Sequence, residues 1–348
     1  MPVHSTVSSA DSPTIPDAPG RPPGAGTAAP PTDPRTTHAA RRRYAVRMIA
    51  DPTGTRFTLR AADVSAEVTE VGAALRALRV AGVDLVPAYP DDAPTPAASG
   101  IVLVPWPNRV RDGRWNDDGE ERQLAITEPK FGNASHGLLR YTAYRVESQT
   151  DGSLTLRADV YPQTGYPYHL ATRVTYALTA DGIEVIHTID NVGADAAPVA
   201  LGTHPYFQIS DVDTADLTLQ LEAETWFRLD EQNIPVAEEP LDEAHDLREP
   251  RRVGDLALDG AFAGLARDAH DRANAVLAAP DGRRLVVWAG TGFDYVQLFV
   301  TDRYPGHDVA VAIEPMTAPA DAFNSGRSLR RLAPGERWEL RWGVRFEA

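Results

Sequence analysis

The sequence predicts an all-β protein, a large antiparallel β-sandwich preceded by a disordered tail, and three observations carry that expectation. Short stretches in which apolar and polar residues alternate recur from about residue 44 to the end, as they do in strands whose successive side chains point to opposite faces. Gly, Pro, Asn and Asp separate these stretches, supplying the backbone conformations that turns need. No segment keeps a helical period long enough to cross between parallel strands, which leaves a sandwich as the architecture.

Taken in order, residues 1–43 are rich in Pro, Ala, Ser and Thr with few large apolar side chains. Such a segment cannot bury enough surface to offset the entropy of ordering it, so it reads as a disordered tail, and residues 44–348 as one domain. The triplet Arg41-Arg42-Arg43 reads as a solvated run. Strand patterns follow at 57–59, 64–71 and 153–160. Residues 174–178 and 183–189 form a pair of β-rich runs around Ala180-Asp181-Gly182, as a hairpin requires. Further runs lie at 217–221, 285–288 and 295–300. The last is the cleanest: Trp338, Leu340, Trp342, Val344 and Phe346 fall on one face, Glu339, Arg341, Arg345 and Glu347 on the other. No fixed-period repeat points to a propeller or solenoid.

With 49 acidic against 34 basic residues the chain carries a formal charge of -15, which argues against a nucleic-acid partner, since phosphate binding rests on clustered Lys and Arg. A neutral small molecule suits this surface better. The absence of cysteine removes disulfides, thiol nucleophiles and Cys-based zinc sites. There is no apolar run of 18 residues and no secretory h-region, so a cytoplasmic protein with no membrane partner is expected. Metalloprotease, dinucleotide and P-loop motifs are absent, and no metal is expected.

Three segments interrupt the strand pattern with polar residues that are costly to bury. In Pro105-Trp106-Pro107-Asn108-Arg109-Val110 two prolines hold an extended loop, the indole offers a flat apolar face, and Asn108 and Arg109 supply directed donors. Aromatic stacking with polar contacts to hydroxyls is the usual way to hold a sugar; the same string also reads as a proline-bounded turn. His136 and His204 each stand in a turn-like context, and Pro205 forces His204 toward extended backbone at the end of an apolar run. Histidine exchanges protons near neutrality. His169 and His187, within strand-like runs, read as structural. Finally, Glu314 ends the run Val309-Ala310-Val311-Ala312-Ile313. A carboxyl there is either buried or at a cleft rim, and both raise its pKa toward that of a general base; a solvated strand-terminal Glu is the alternative.

Together these segments resemble the aldose 1-epimerase (galactose mutarotase) family. The matching strings occur in order: Asn108-Arg109 followed by Gly113, His136-Gly137, Thr203-His204-Pro205-Tyr206-Phe207, and Glu314-Pro315-Met316-Thr317 leading to Asp321-Ala322-Phe323-Asn324. The resemblance covers residues from about 53 to the end. It implies a galactose mutarotase-like supersandwich with a sugar cleft. It also implies interconversion of the α and β anomers of a free, glucose- or galactose-like hexose, without a cofactor. Glu314 would be the general base and His204 the general acid, placed on opposite sides of the ring. Arg109, His136, Asn108, Tyr206, Asp259 and Gln297 would bind the sugar. Gln208 follows Phe207 where the family commonly has Asn, which leaves the substrate open. The alternatives are a hexose 6-phosphate, with Arg140 as a candidate phosphate ligand, and a non-catalytic sugar-binding module. A monomer or a homodimer is expected.

Overall fold

The computed structural model describes residues 51–348. The tail expected at 1–43 and the Arg41–Arg43 triplet lie outside the described residues. Nearly all regular structure is β, arranged as two large sheets and several smaller ones. The nine-stranded sheet is antiparallel throughout its centre, where Ser153–Val160, Leu170–Leu178, Gly182–Asn191, Arg337–Glu347, Arg284–Ala289 and Ala273–Ala278 lie side by side. The eight-stranded sheet has Thr225–Leu229, Asp259–Ala263, Tyr295–Thr301 and Ala310–Met316 in that order, and short strands Gly202–Thr203 and Tyr206–Phe207 both pair with the last of these. A four-stranded sheet begins the domain with Arg56–Ala61, Val64–Thr69 and Leu75–Val80.

The two large sheets meet in one apolar core. Leu340, Trp342 and Val344 from one sheet and Val296, Leu298, Val311 and Ile313 from the other belong to it, all buried. The predicted alternation in the last strand is therefore real: its apolar face enters the core, while Arg341 and Arg345 stay half-buried or exposed and pair with Glu339 and Glu347. Burial of such side chains, at about 25 cal/mol per Å² of apolar surface, is what fixes strand register here.

The hairpin at Asp181-Gly182 forms with Leu178 opposite Ile183. Its glycine serves a purpose the turn reading does not give. Thr179 N–H donates to the Gly182 carbonyl, so Gly182 already stands in the strand, and a Cβ on it would lie 1.9 Å from the Val344 oxygen of the adjacent strand. Close approach of that neighbour, rather than a left-handed turn, requires glycine.

Candidate active site

The strand Ala310–Met316 is buried on both faces. Val311 and Ile313 enter the main core, while Ala310, Ala312 and Glu314 face the other way. Tyr206 and Tyr304 cover the two alanines, while Glu314 reaches a cavity of about 790 Å³ that opens beside them. Glu314 stands opposite Gln297, and two residues along the ladder Ala312 stands opposite Phe299, which in turn stands opposite Asp259. Strand pairing alone therefore brings Glu314, Gln297 and Asp259 to one floor. The Gln297 amide donates to Asp259 Oδ1 at 2.8 Å.

His204 reaches the same floor from the neighbouring segment. Gly202 pairs with Met316 and Tyr206 with Ala312 in one register, and between them Ile313 N–H donates to the Pro205 carbonyl, which sets His204 beside Glu314. The backbone of His204 is held by its N–H to the Ile101 carbonyl at 3.2 Å and by Gly100 N–H to its own carbonyl at 2.7 Å. Its Nε2 lies 3.3 Å from Glu314 Oε1. The two groups stand side by side, where the sequence suggested opposite sides of a ring.

A short ladder sets the third wall. Arg109 pairs with Ser135, and the N–H of His136 donates to the Asn108 carbonyl at 2.8 Å. Asn108 and His136 both have left-handed backbone, φ 54° and 63°, an uncommon state for residues other than glycine that tends to occur at functional sites. Gly137 follows at φ +73°, where a Cβ would come within 2.1 Å of the Val104 oxygen; His-Gly is thus a packing requirement as well as a motif. His136 and His204 meet edge to face at 5.3 Å. The loop carrying Arg109 is tied from the other end of the chain: Asp321 N–H donates to the Arg109 carbonyl, and Asp321 Oδ1 accepts from Arg111 N–H and from the Asn324 amide.

Electrostatics favour neutral forms on the floor. Burial, reinforced by the nearby Asp259 charge and opposed by Arg109, raises the Glu314 carboxyl well above the ordinary range. Burial lowers His204 to about 3, and burial together with His204 and Arg140 lowers His136 well below its ordinary value. Both shifts point toward the uncharged forms, so the His204–Glu314 contact joins a neutral imidazole to a protonated carboxyl rather than two charges. Asp259 opens onto the cavity, yet desolvation by the surrounding walls still raises its carboxyl.

Seven of the eight residues expected from the sequence line the cavity: Glu314, His204, Arg109, His136, Asp259, Asn108 and Gln297. Tyr206 does not. It is fully buried beside His204, its ring stacked on the imidazole at 5.3 Å and packed against Tyr304, so it backs His204 and does not line the cavity. The expectation that Trp106 offers a stacking face is also overturned. Trp106 is buried against Phe323, ring centroids 5.4 Å apart, as part of the core. His187 is structural, accepting the Trp342 indole N–H at 3.0 Å. Sequence reasoning missed Glu128, which lines the cavity and holds Arg109 with two hydrogen bonds, 2.7 and 3.0 Å; nothing in its surroundings signals a partner 19 residues away. Arg140 lines the cavity too, its Nε buried without a hydrogen-bond partner.

Fold and site define a β-sandwich protein with a buried carboxyl–imidazole pair at the bottom of a polar cavity. Residues 55–345 match the aldose 1-epimerase family model, and the chain belongs to that family. It is 32% identical over 294 residues to the uncharacterized protein YihR of Escherichia coli, covering 84% of this chain and 93% of that protein. Human galactose mutarotase is 32% identical over a shorter stretch, 46% of this chain and 49% of that protein. Among solved structures, a galactose mutarotase-like protein from Clostridium acetobutylicum superposes with a TM-score of 0.74 at 18% identity, over 84% of this chain and 94% of that one. The galactose 1-epimerase of Lactobacillus acidophilus gives 0.70 at 21%, over the same shares; at such identities the likeness concerns the fold. Among the described residues no helix is long and apolar enough to cross a membrane.

Proposed function

We propose that this protein is an aldose 1-epimerase that interconverts the α and β anomers of a free, glucose- or galactose-like hexose. The observation that carries the reading is the 3.3 Å contact between His204 Nε2 and Glu314 Oε1 in the cavity. In a hemiacetal the hydroxyl oxygen O1 and the ring oxygen O5 are both bonded to C1, so adjacent groups suffice to serve them. Once the pair's one proton has passed from Glu314 to His204, Glu314 as carboxylate takes the O1 proton while imidazolium His204 delivers one to O5; the C1–O5 bond breaks and C1 becomes a carbonyl. Rotation about C1–C2 and reclosure on the other face returns both protons. The pair carries one exchangeable proton throughout, and ring opening ends in the carboxylic acid and neutral imidazole that burial favours.

Arg109, Asn108, His136, Asp259 and Gln297 are the proposed hydroxyl ligands. With Glu314 uncharged, the lining sets Arg109, Lys130, Arg140 and Arg303 against Glu128, Asp259 and Asp302, a near balance that supports an uncharged sugar. One observation favours a phosphorylated one: Arg140 leaves a buried donor unpartnered, as an anion would require. Polarimetry of freshly dissolved α-glucose, α-galactose and α-glucose 6-phosphate tests both. Faster relaxation of the free sugars supports the proposal; acceleration of the phosphate ester alone replaces it with the second reading. Sugar binding without acceleration replaces it with a binding module.

A further inference from the structure

The string Asp321-Ala322-Phe323-Asn324 is one of those by which the chain resembles its family, yet none of its residues lines the cavity. It stands shortly after Glu314, beyond a run that is buried from Ala310 to Ala320, and it closes on the segment 105–115. Phe323 packs against Trp106 and Trp115, ring centroids 5.4 and 4.8 Å away. The Asn324 amide donates to the Arg114 carbonyl at 2.9 Å. Asp321 N–H donates to the Arg109 carbonyl at 2.6 Å, and Asp321 Oδ1 accepts from Arg111 N–H at 2.9 Å and from the Asn324 amide at 2.7 Å. Arg109 is thus pinned through its own carbonyl and through the N–H two residues on. An Asp at the start of a helix ordinarily accepts from that helix's first N–H groups. Asp321 precedes the short helix Ala322–Ser325 and makes no such bond. Its backbone is left-handed, φ 60° and ψ 27°, a costly state for a residue other than glycine that persists where the surroundings enforce it. In that state it presents both its N–H and its carboxyl to the Arg109 loop. The Arg111 side chain is anchored separately, on Asp230 and Gln232, so loss of the Asp321 carboxyl frees the Arg109 backbone without releasing the loop.

We infer that Asp321 is a positioning residue for ligand binding: its carboxyl fixes the backbone of Arg109, so that the guanidinium clasped by Glu128 is already aimed at the cavity when a ligand enters. Ordering in advance favours binding because association no longer bears that cost. The inference rests on the proposed role of Arg109 as a hydroxyl ligand, and on the epimerase reading for its kinetic readout. The experiment compares Asp321→Gly, Asp321→Asn and Asn324→Ala with the parent by polarimetry of α-glucose and α-galactose. It also follows by NMR the exchange with water of the Arg109 Nε–H, which Glu128 accepts. Glycine keeps the left-handed backbone and the N–H to Arg109 but has no acceptor. Asp321→Gly should therefore raise KM about tenfold with kcat within a few-fold of the parent, and speed the Arg109 exchange about as much. Asparagine keeps the acceptor and tolerates this backbone, so Asp321→Asn should hold both values within about twofold of the parent. A merely structural role would lower the melting temperature and the active fraction and leave KM unmoved. Should Asp321→Gly fail to fold, Asn324→Ala, at an exposed position, should raise KM about threefold. An unmoved KM in Asp321→Gly, or in Asn324→Ala where that variant stands in, overturns the inference and leaves the epimerase reading standing. So does an Asp321→Asn variant impaired as much as Asp321→Gly. With no turnover by the parent the epimerase reading fails, and the Arg109 exchange decides: faster exchange in Asp321→Gly than in Asp321→Asn upholds the positioning role, and equal exchange overturns it.

Discussion

Glu128 holds the Arg109 guanidinium through two parallel hydrogen bonds, Nε to Oε2 and Nη2 to Oε1. Asn108 Oδ1 accepts a third from Nη1 at 3.0 Å, so the planar group is fixed on the cavity wall before any ligand arrives. Such forked pairs add geometric definition as well as energy.

Removing that clamp should affect binding more than chemistry. Glu128→Gln should raise KM for the hexose about tenfold, with kcat within a few-fold of the parent. Steady-state polarimetry checks this; a fall in kcat at unchanged KM would place Glu128 in the chemical step instead.

Glu314→Gln should abolish anomer exchange and at the same time stabilise the fold at neutral pH. The folded carboxyl titrates above its unfolded value of 4.5. Above about pH 4.5 the unfolded chain therefore gives up a proton that the folded protein keeps, and stability falls as pH rises toward the folded pKa. The variant lacks this loss. Urea denaturation at pH 4, 6 and 8 should show its advantage growing with pH and vanishing at the acid end.

His187 has the opposite linkage. Its folded pKa is lowered to about 3 by burial, so between pH 6.5 and 3 the unfolded chain binds a proton that the folded one refuses, and stability drops as pH falls. His187→Leu leaves the Trp342 N–H without an acceptor, which should cost about 1–3 kcal/mol at pH 7. At pH 5 the parent loses about 2 kcal/mol that the variant does not, so the deficit measured in urea should shrink or disappear there.

Gly137→Ala should destabilise the protein by more than about 2 kcal/mol, because a Cβ would meet the Val104 carbonyl at 2.1 Å in a left-handed backbone. Gly119→Ala is the control: its φ is +99° but no atom lies within 4 Å, and it should cost about 1 kcal/mol. Thermal melts of both variants compare backbone strain alone with strain plus collision.

Much of this was legible before any coordinates, and the reasons differ by residue. Strand existence followed from period two wherever one face is buried, as at Trp338 to Phe346. Glu314 was conspicuous because a carboxyl after five apolar residues needs a reason, and Gln297 proved to be its ladder partner. Trp106 was misread because its neighbour Phe323 lies far along the chain, and an isolated indole looks the same in a core as in a cleft. Tyr206 lies off the cavity for a related cause: it shares the face of His204, as alternate residues of a strand do, but Tyr304, far along the chain, packs against it and buries it. Glu128 lies in a turn with no period to reveal its direction.

Ile313 and Glu314 are consecutive on one strand, the first locked in the main core and the second on the cavity floor. The Glu314 carboxyl thus inherits the stiffness of the interior, and its position can be altered only by disturbing the packing that keeps the protein folded. Change in the cavity's shape is therefore channelled into the segments that carry Arg109, Glu128, Ala97 and Arg303, which can vary while the carboxyl stays where the sheet holds it.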